Sequence, residues 1–373
     1  MFKEKLIPTF FYLLVLVFGY SSLPLGFSQV SEALPLVSSV PKTPTAPLTT
    51  ATNTIPPIPA TPLDIPAIGL RKITGTFIQY QSWMMQLDTK KWEAELDAMR
   101  SAGIDTIVIQ WLKSDQNRFY PVNIPGNDPT QIILSYADRN HMNVYVGLQS
   151  DKSWWSNWSD DDYLMNAAKK TLALAKSSLK RYGKHSSFQG WYISYEMSDA
   201  DLDDDEVASI QGFLKKITQG LRALTHKRMP VALSTFFSGK IPPVAVQKIY
   251  SEILKGSGIG ILMVQDGVGV HNWDNQVAAK VGPYMNAFRL AAMKNNIRVW
   301  SVIESFINTK DALVKVGTSE RAPAGILRLK EQLQIHAAYP HEKILTFDFF
   351  HYMSPYRGAA QKLLYDNYMT QFK

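Results

Sequence analysis

From about residue 73 onward the chain alternates between two hydrophobic rhythms. Short apolar, β-branched and aromatic runs give way to longer stretches whose apolar residues recur every three or four positions. The short runs are Gly75–Gln79, Thr106–Trp111, Asn143–Leu148, Gly190–Tyr195, Pro230–Ser234, Gly260–Gln265, Arg298–Ile303 and Ile344–Phe349. Near-continuous apolarity over such lengths fits strands buried on both faces. The helical stretches between and after them are Lys90–Ser101, Thr130–Asn140, Tyr163–Tyr182, Asp203–Thr225, Pro243–Lys255, Asn275–Asn295, Gly325–Ala338 and Tyr356–Phe372. Several carry their own punctuation: Asp88 as an N-cap and Gly103 as a stop for the first, Pro129 in the first turn of the second. Ser159 with Asp162 resembles a capping motif before the third, which stops at Gly183. Eight strand-then-helix units predict an α/β fold, a (β/α)8 TIM barrel. The rival, a doubly wound open sheet, uses fewer strands and a phosphate-cradling glycine turn after the first; GTFIQYQ has no such turn.

Residues 1–28 have a different pattern. Lys3 and Lys5 precede the apolar Phe10–Tyr20, and Gly26 and Ser28 offer a small-residue cleavage site. The segment is expected to be a signal peptide or, left uncleaved, an N-terminal anchor, because Leu6–Phe27 nearly suffices to span a bilayer. In residues 29–67 nine prolines lie between Pro35 and Pro66 among Thr, Ala and Ser, which predicts an extended, disordered linker. Residues 68–373 are then the barrel domain, expected to be secreted or periplasmic, with a membrane tether if the leader is retained. Nothing in the chain specifies an oligomeric state.

Composition narrows the chemistry. The 373 residues are 46% hydrophobic and 19% charged, enough for a large core. The net charge of +7 is spread rather than clustered, so no nucleic-acid partner is expected. There is no cysteine, which excludes a lipoprotein anchor, a disulfide framework, a thiol nucleophile and a Cys-ligated metal. The acidic run Asp199–Glu206 lacks the glycine and terminal glutamate of an EF-hand loop and is read as the charged start of the following helix. His271 and His351 are read as packing or hydrogen-bonding residues. Neither metal nor cofactor is expected.

A barrel keeps its chemistry at the C-terminal ends of its strands. Strand four ends in Tyr195 and Glu196, strand seven in Glu304. A carboxylate closing an apolar strand needs a cleft or partners, since burying it alone is costly. Two carboxylates across a barrel mouth can flank a glycosidic bond, one protonating the leaving oxygen and the other attacking the anomeric carbon or activating water. Gln79, Gln110 and Gln149 offer amides that suit sugar hydroxyls. Trp111, Trp154 and Trp155 suit stacking on pyranose faces, with loop packing as the alternative. Asp266, before a flexible glycine loop, is a candidate for substrate hydroxyls, for tuning Glu304 by charge, or for capping the Gly267–Val270 turn. Asp151, Tyr195, Asp348 and Tyr352 complete the candidate substrate-binding set.

Three stretches carry a family resemblance: GTFIQYQSWMMQLDTKKWEAELDAMRSAGIDTIVIQW, GWYISYEMSD and MVQDGVGV. They resemble the bacterial barrel family catalogued as domain of unknown function 4434, over about residues 73–355. The strand-four and strand-seven glutamates are similarly placed to those of clan A retaining glycoside hydrolases. The resemblance implies a glycoside-hydrolase-like TIM barrel with Glu196 as general acid/base and Glu304 as nucleophile. Clan A usually has Asn before the strand-four Glu, where this chain has Tyr195, and Trp at the end of strand eight, where it has Phe349, Phe350 and Tyr352. The expected activity is cleavage of a polysaccharide, such as an exopolysaccharide. The alternative from another class is a non-catalytic glycan-binding barrel in polysaccharide export or matrix.

Overall fold

The computed structural model describes residues 70–372, apart from 116, 121–127, 226–228, 275, 310–313, 317–318 and 340. The leader and linker segments assigned above lie outside the described residues. Eight parallel strands close into one barrel in chain order. They are β1 (Gly75–Ile78), β2 (Thr106–Ile109), β3 (Asn143–Gly147), β4 (Phe188–Met197), β5 (Val231–Thr235), β6 (Ile261–Gln265), β7 (Arg298–Glu304) and β8 (Lys343–Phe347). β8 closes on β1 with Gly75 opposite Leu345. The surrounding helices are α1 (Thr89–Ser101), α2 (Pro129–Arg139), α3 (Asp161–Tyr182), α4 (Asp204–Leu224), α5 (Pro243–Leu254), α6 (Val277–Lys294), α7 (Ile326–Ala337) and α8 (Ala359–Gln371).

The helix starts follow local chemistry. Asp88 caps α1 by accepting from Lys91 N. Asp203 and Glu206 form a reciprocal capping box on α4 with Asp204 and Asp205 in its first turn, whereas Asp199, at the start of the acidic run, is buried and accepts from Ser238 N and Gly239 N after β5. α3 begins one residue from the expected cap. Asp160, not Ser159, accepts from Tyr163 N, because a carboxylate both caps and matches the positive helix end.

Successive residues of a strand face opposite sides, and this parity sorts the whole barrel. Phe77, Val108, Tyr145, Tyr192, Ala232, Met263, Trp300 and Leu345, one from each strand, fill the interior. Tyr145 meets Trp300 edge to face at 5.0 Å, and Phe77 meets Tyr192 at 5.4 Å. Ile78, Ile109, Val146, Ile193, Leu233, Val264, Ile303 and Ile344 face outward under the helices. The parity carries to the strand ends: Gln79, Gln110, Glu196, Gln265 and Glu304 share the interior register, whereas Tyr80, Trp111, Tyr195, Asp266 and Asp348 share the outer one.

Two local irregularities prepare the mouth. Between Ile193 and Met197, β4 advances further than β5, whose paired residues run only from Leu233 to Thr235. The resulting bulge falls on Ser194–Glu196, and bulges of this kind re-aim side chains beside functional sites. The Glu196 carbonyl is taken by the Trp154 indole Nε1 at 2.7 Å. After β7 the chain forms an antiparallel sheet of Phe306–Asn308, Val314–Val316 and Ser319–Pro323.

At Gly147 the end of β3 lies tight against the chain leaving β2. A Cβ there would lie 2.2 Å from the Gln110 carbonyl oxygen. Gly147→Ala is expected to destabilise the barrel by about 1–3 kcal/mol through strand displacement. A urea-denaturation midpoint measured against wild type checks this, and an unchanged midpoint would mean that the two strands can separate freely.

Candidate active site

The interior-facing strand ends converge on one narrow cleft. It is lined by Gln79, Gln110, Glu196, Gln265, Glu304, Phe306, Arg321 and Phe347. Both glutamates are deeply buried, Glu196 at 9% and Glu304 at 2% exposure.

Glu196 is held by neutral donors. Its Oε1 accepts from Gln265 Nε2 at 3.0 Å, Gln110 Nε2 at 3.3 Å and the Tyr192 hydroxyl at 3.4 Å. Gln265 also donates to Ser234 Oγ at 3.3 Å, fixing the amide across β5 and β6. Burial raises the Glu196 carboxyl to about 7, against the opposing pull of these donors and of the Arg321 charge. Donors gathered on one oxygen suit a neutral acid whose carbonyl is Oε1 and whose proton is on Oε2.

Glu304 is held by backbone and tuned by charge. Its Oε2 accepts from Val270 N at 2.8 Å. That N–H belongs to the single helical turn Val268–His271, which packs against the end of β7. The stretch read as a flexible glycine loop is therefore an ordered turn among the described residues. Gly267 starts it with φ 67°, and a Cβ on Gly269 would lie 2.3 Å from the Phe306 carbonyl oxygen. Burial and the Asp266 charge push the Glu304 carboxyl upward, while the Val270 N–H, Arg321 and Arg328 oppose them.

Asp266 lies outside the barrel wall, wholly buried. Its Oδ1 accepts from the backbone N–H groups of Glu304 and Val268, both at 3.2 Å. Its Oδ2 accepts from Gln332 Nε2 at 2.7 Å and lies 3.3 Å from His336 Nε2. It therefore holds the Glu304 backbone from behind and bonds the first N–H of the turn, the contact that its capping reading describes. It is fully enclosed and is not among the residues that line the cleft.

The other candidates separate by the same parity. Gln79 and Gln110 line the cleft with the glutamates. Gln149 is turned to the Tyr195 hydroxyl at 3.0 Å. Tyr195 is fully buried between Trp154 and Phe213, facing the helical layer and Asp151 rather than Glu196. Asp151 accepts from Tyr163 Oη at 2.8 Å and from Ser153 N at 3.0 Å. Trp154 is 1% exposed and is occupied by packing and by the Glu196 carbonyl. Trp155 is half-buried against Phe236. Trp111 is buried and donates to the Tyr80 carbonyl. Asp348 caps the turn Phe349–Tyr352 and meets His351 Nδ1 at 2.7 Å. The Tyr352 ring packs against Phe306 at 5.1 Å, and burial raises its hydroxyl to about 12 despite the nearby Arg321 charge.

Five lining or contacting residues fall outside the expected set, among them Phe306, in the first strand of the small sheet after β7. Gln265 and Tyr192 were legible: one ends β6 as Gln79 ends β1, and the other shares the Glu196 face. Phe347 ends β8 in the interior register. Arg321 arrives from the hairpin after β7, and no strand-end rule points to it.

The architecture is thus a TIM barrel whose mouth encloses two buried carboxylates among amides and one guanidinium. The chain belongs to the family described as Domain of unknown function (DUF4434), which matches residues 73–359. It is 24% identical over 205 residues to the uncharacterized protein YbcH of Escherichia coli strain K12. That alignment covers 52% of this chain and 65% of the relative, so the chain spans just under two thirds of that relative's length. Among solved structures, a Bacteroides thetaiotaomicron VPI-5482 protein proposed to be an alpha-L-fucosidase has 23% identity and a TM-score of 0.65. The match covers 87% of this chain and 99% of that one, and it is a likeness of fold.

Asp266→Asn removes a buried negative charge behind Glu304 while keeping one acceptor oxygen. The Glu304 carboxyl is expected to titrate at lower pH in the variant. Carboxyl 13C chemical shifts followed across a pH series would report it, and an unmoved Glu304 midpoint would remove Asp266 from the tuning.

Proposed function

We propose that this protein is a glycoside hydrolase that cleaves a polysaccharide, with Glu196 as general acid/base and Glu304 as nucleophile. The observation that carries this reading is one cleft holding two buried carboxyls in unlike settings. One is held on a single oxygen by neutral amide and hydroxyl donors. The other is held as an acceptor by a backbone N–H.

Neither glutamate is tied up in a salt bridge among the described residues. Arg328, behind β7, donates to the Glu304 and Phe306 carbonyls and pairs with Asp274. This favours catalysis over a barrel that only binds glycan, where such carboxylates would have no reason to stay unpaired.

In the first step Glu196 gives its proton to the glycosidic oxygen as that C–O bond breaks. Glu304 attacks the anomeric carbon and forms a glycosyl ester. In the second step Glu196, now a carboxylate, takes a proton from water. The water oxygen bonds the anomeric carbon, the ester breaks and Glu304 is released as carboxylate. Gln79 and Gln110 are placed to hold sugar hydroxyls. Export to the periplasm or beyond, on a cleaved or retained leader, would bring the barrel to an extracellular polymer.

Glu196→Gln is expected to lower turnover by about 10²–10⁴-fold, and Glu304→Gln to abolish it, both with wild-type circular dichroism. Reducing-end release from a panel of bacterial and plant polysaccharides measures this. Retained activity in either variant would remove that residue from the mechanism.

The pH profile carries a sign. The acid must hold its proton, and burial sets its carboxyl at about 7. Activity is therefore expected to fall as pH rises through about 7, and also on the acid side of neutrality, where Glu304, itself pushed upward by burial and the Asp266 charge, becomes protonated. A rate that keeps climbing well above neutrality would contradict Glu196 as the acid.

A further inference from the structure

The hairpin after β7 brings a cation into a mouth otherwise lined by carboxyls, amides and rings. Arg321 lies opposite Asn308 in the small sheet, with its guanidinium 4.1 Å over the Phe306 ring. It is 4% exposed and lines the cleft beside Glu196 and Glu304.

A buried guanidinium is expensive to hold without partners. Its charge acts on Glu196, Glu304 and the Tyr352 hydroxyl, which it also meets, but neither glutamate takes it as a partner through the oxygen that its own donors fix. Glu196 Oε1 is held by Gln110, Gln265 and Tyr192, and Glu304 Oε2 by Val270 N. Among the described residues, Arg321 Nε has no hydrogen-bond partner. Phe306 covers one face of the guanidinium plane.

Neutral hydroxyls need no such group, since Gln79 and Gln110 already offer amides to the same cleft. A guanidinium edge matches a carboxylate with two parallel N–H···O bonds. We propose that Arg321 recognises the carboxylate of an acidic sugar, so that the glycan taken by this cleft contains uronic acid residues. This rests on the reading of the cleft as a glycan site and narrows its substrate to anionic polysaccharide.

The test compares matched polymers. Oligomers of glucuronate-, galacturonate- and mannuronate-containing glycans are set against the same oligomers after chemical reduction of their carboxyls to alcohols. Affinity is measured by calorimetry on the full chain carrying Glu196→Gln, whose neutral side chain mimics the protonated acid and slows turnover. At least one acidic oligomer is expected to bind about 10- to 100-fold tighter than its reduced form. Adding Arg321→Met should bring that ratio close to one, and Arg321→Lys should keep part of it. A folding defect would weaken both forms alike and would not erase the preference selectively.

The proposal is overturned if the ratio is near one with Arg321 present, or if Arg321→Met leaves it unchanged. Equal loss of both forms in Arg321→Met and Arg321→Lys would make Arg321 a packing residue and overturn it too. So would failure to bind every acidic oligomer. The readout is separable from the hydrolase proposal: a barrel that binds acidic glycan without cutting it keeps this inference and loses that one. A barrel that cuts only neutral glycan does the reverse.

Discussion

Two carboxyl groups buried at one end of a closed barrel set the terms for everything around them. Removing a carboxylate from water without partners costs several kcal/mol, on the order of its lost hydration after relaxation. The barrel meets that cost differently for each glutamate. Glu196 receives neutral donors from three strands and is pushed toward its protonated form. Glu304 receives a backbone N–H from a turn that packs against its own strand. Asp266 braces that strand and turn from outside the barrel. The same constraint accounts for a β4 bulge at Glu196, a glycine where the turn must touch β7, and a guanidinium carried in on a hairpin.

The support is layered from the outside inward. His336 and Gln332 on α7 approach Asp266, Asp266 holds the Glu304 backbone, and the Glu304 side chain faces the cleft. On the opposite side Trp154 takes the Glu196 carbonyl, and Tyr195 wedges between Trp154 and Phe213. The aromatic residues near β4 thus stiffen the bulge that aims the glutamate. Their role is rigidity of the mouth, the feature that lets a few polar groups hold a fixed geometry.

Much of this was legible in the chain. Near-continuous apolar runs located all eight strands, because a parallel barrel buries both faces of each. The two glutamates stood out as acids ending apolar strands. What the strand-end rule blurred was direction. Adjacent residues such as Tyr195 and Glu196, or Gln265 and Asp266, point to opposite sides, and taking both as site residues overlooked that period of two. Counted by parity, Tyr195, Trp111, Asp266 and Asp348 belong to the outer layer, and Gln265 and Tyr192 to the mouth. Arg321 was beyond such counting. Its position depends on a hairpin pairing Phe306–Asn308 with Ser319–Pro323, which no periodicity in the sequence announces.

The account rests most directly on Glu304 forming a bond to sugar. Incubation with a panel of 2-deoxy-2-fluoro-glycosyl fluorides, neutral and uronic, followed by peptide mass spectrometry, examines that bond. The account predicts one covalent glycosyl adduct, on the peptide containing Glu304, absent from Glu304→Gln. Time-dependent inactivation with the adduct on any other residue would contradict it, as would turnover of these reagents that is untouched by Glu304→Gln.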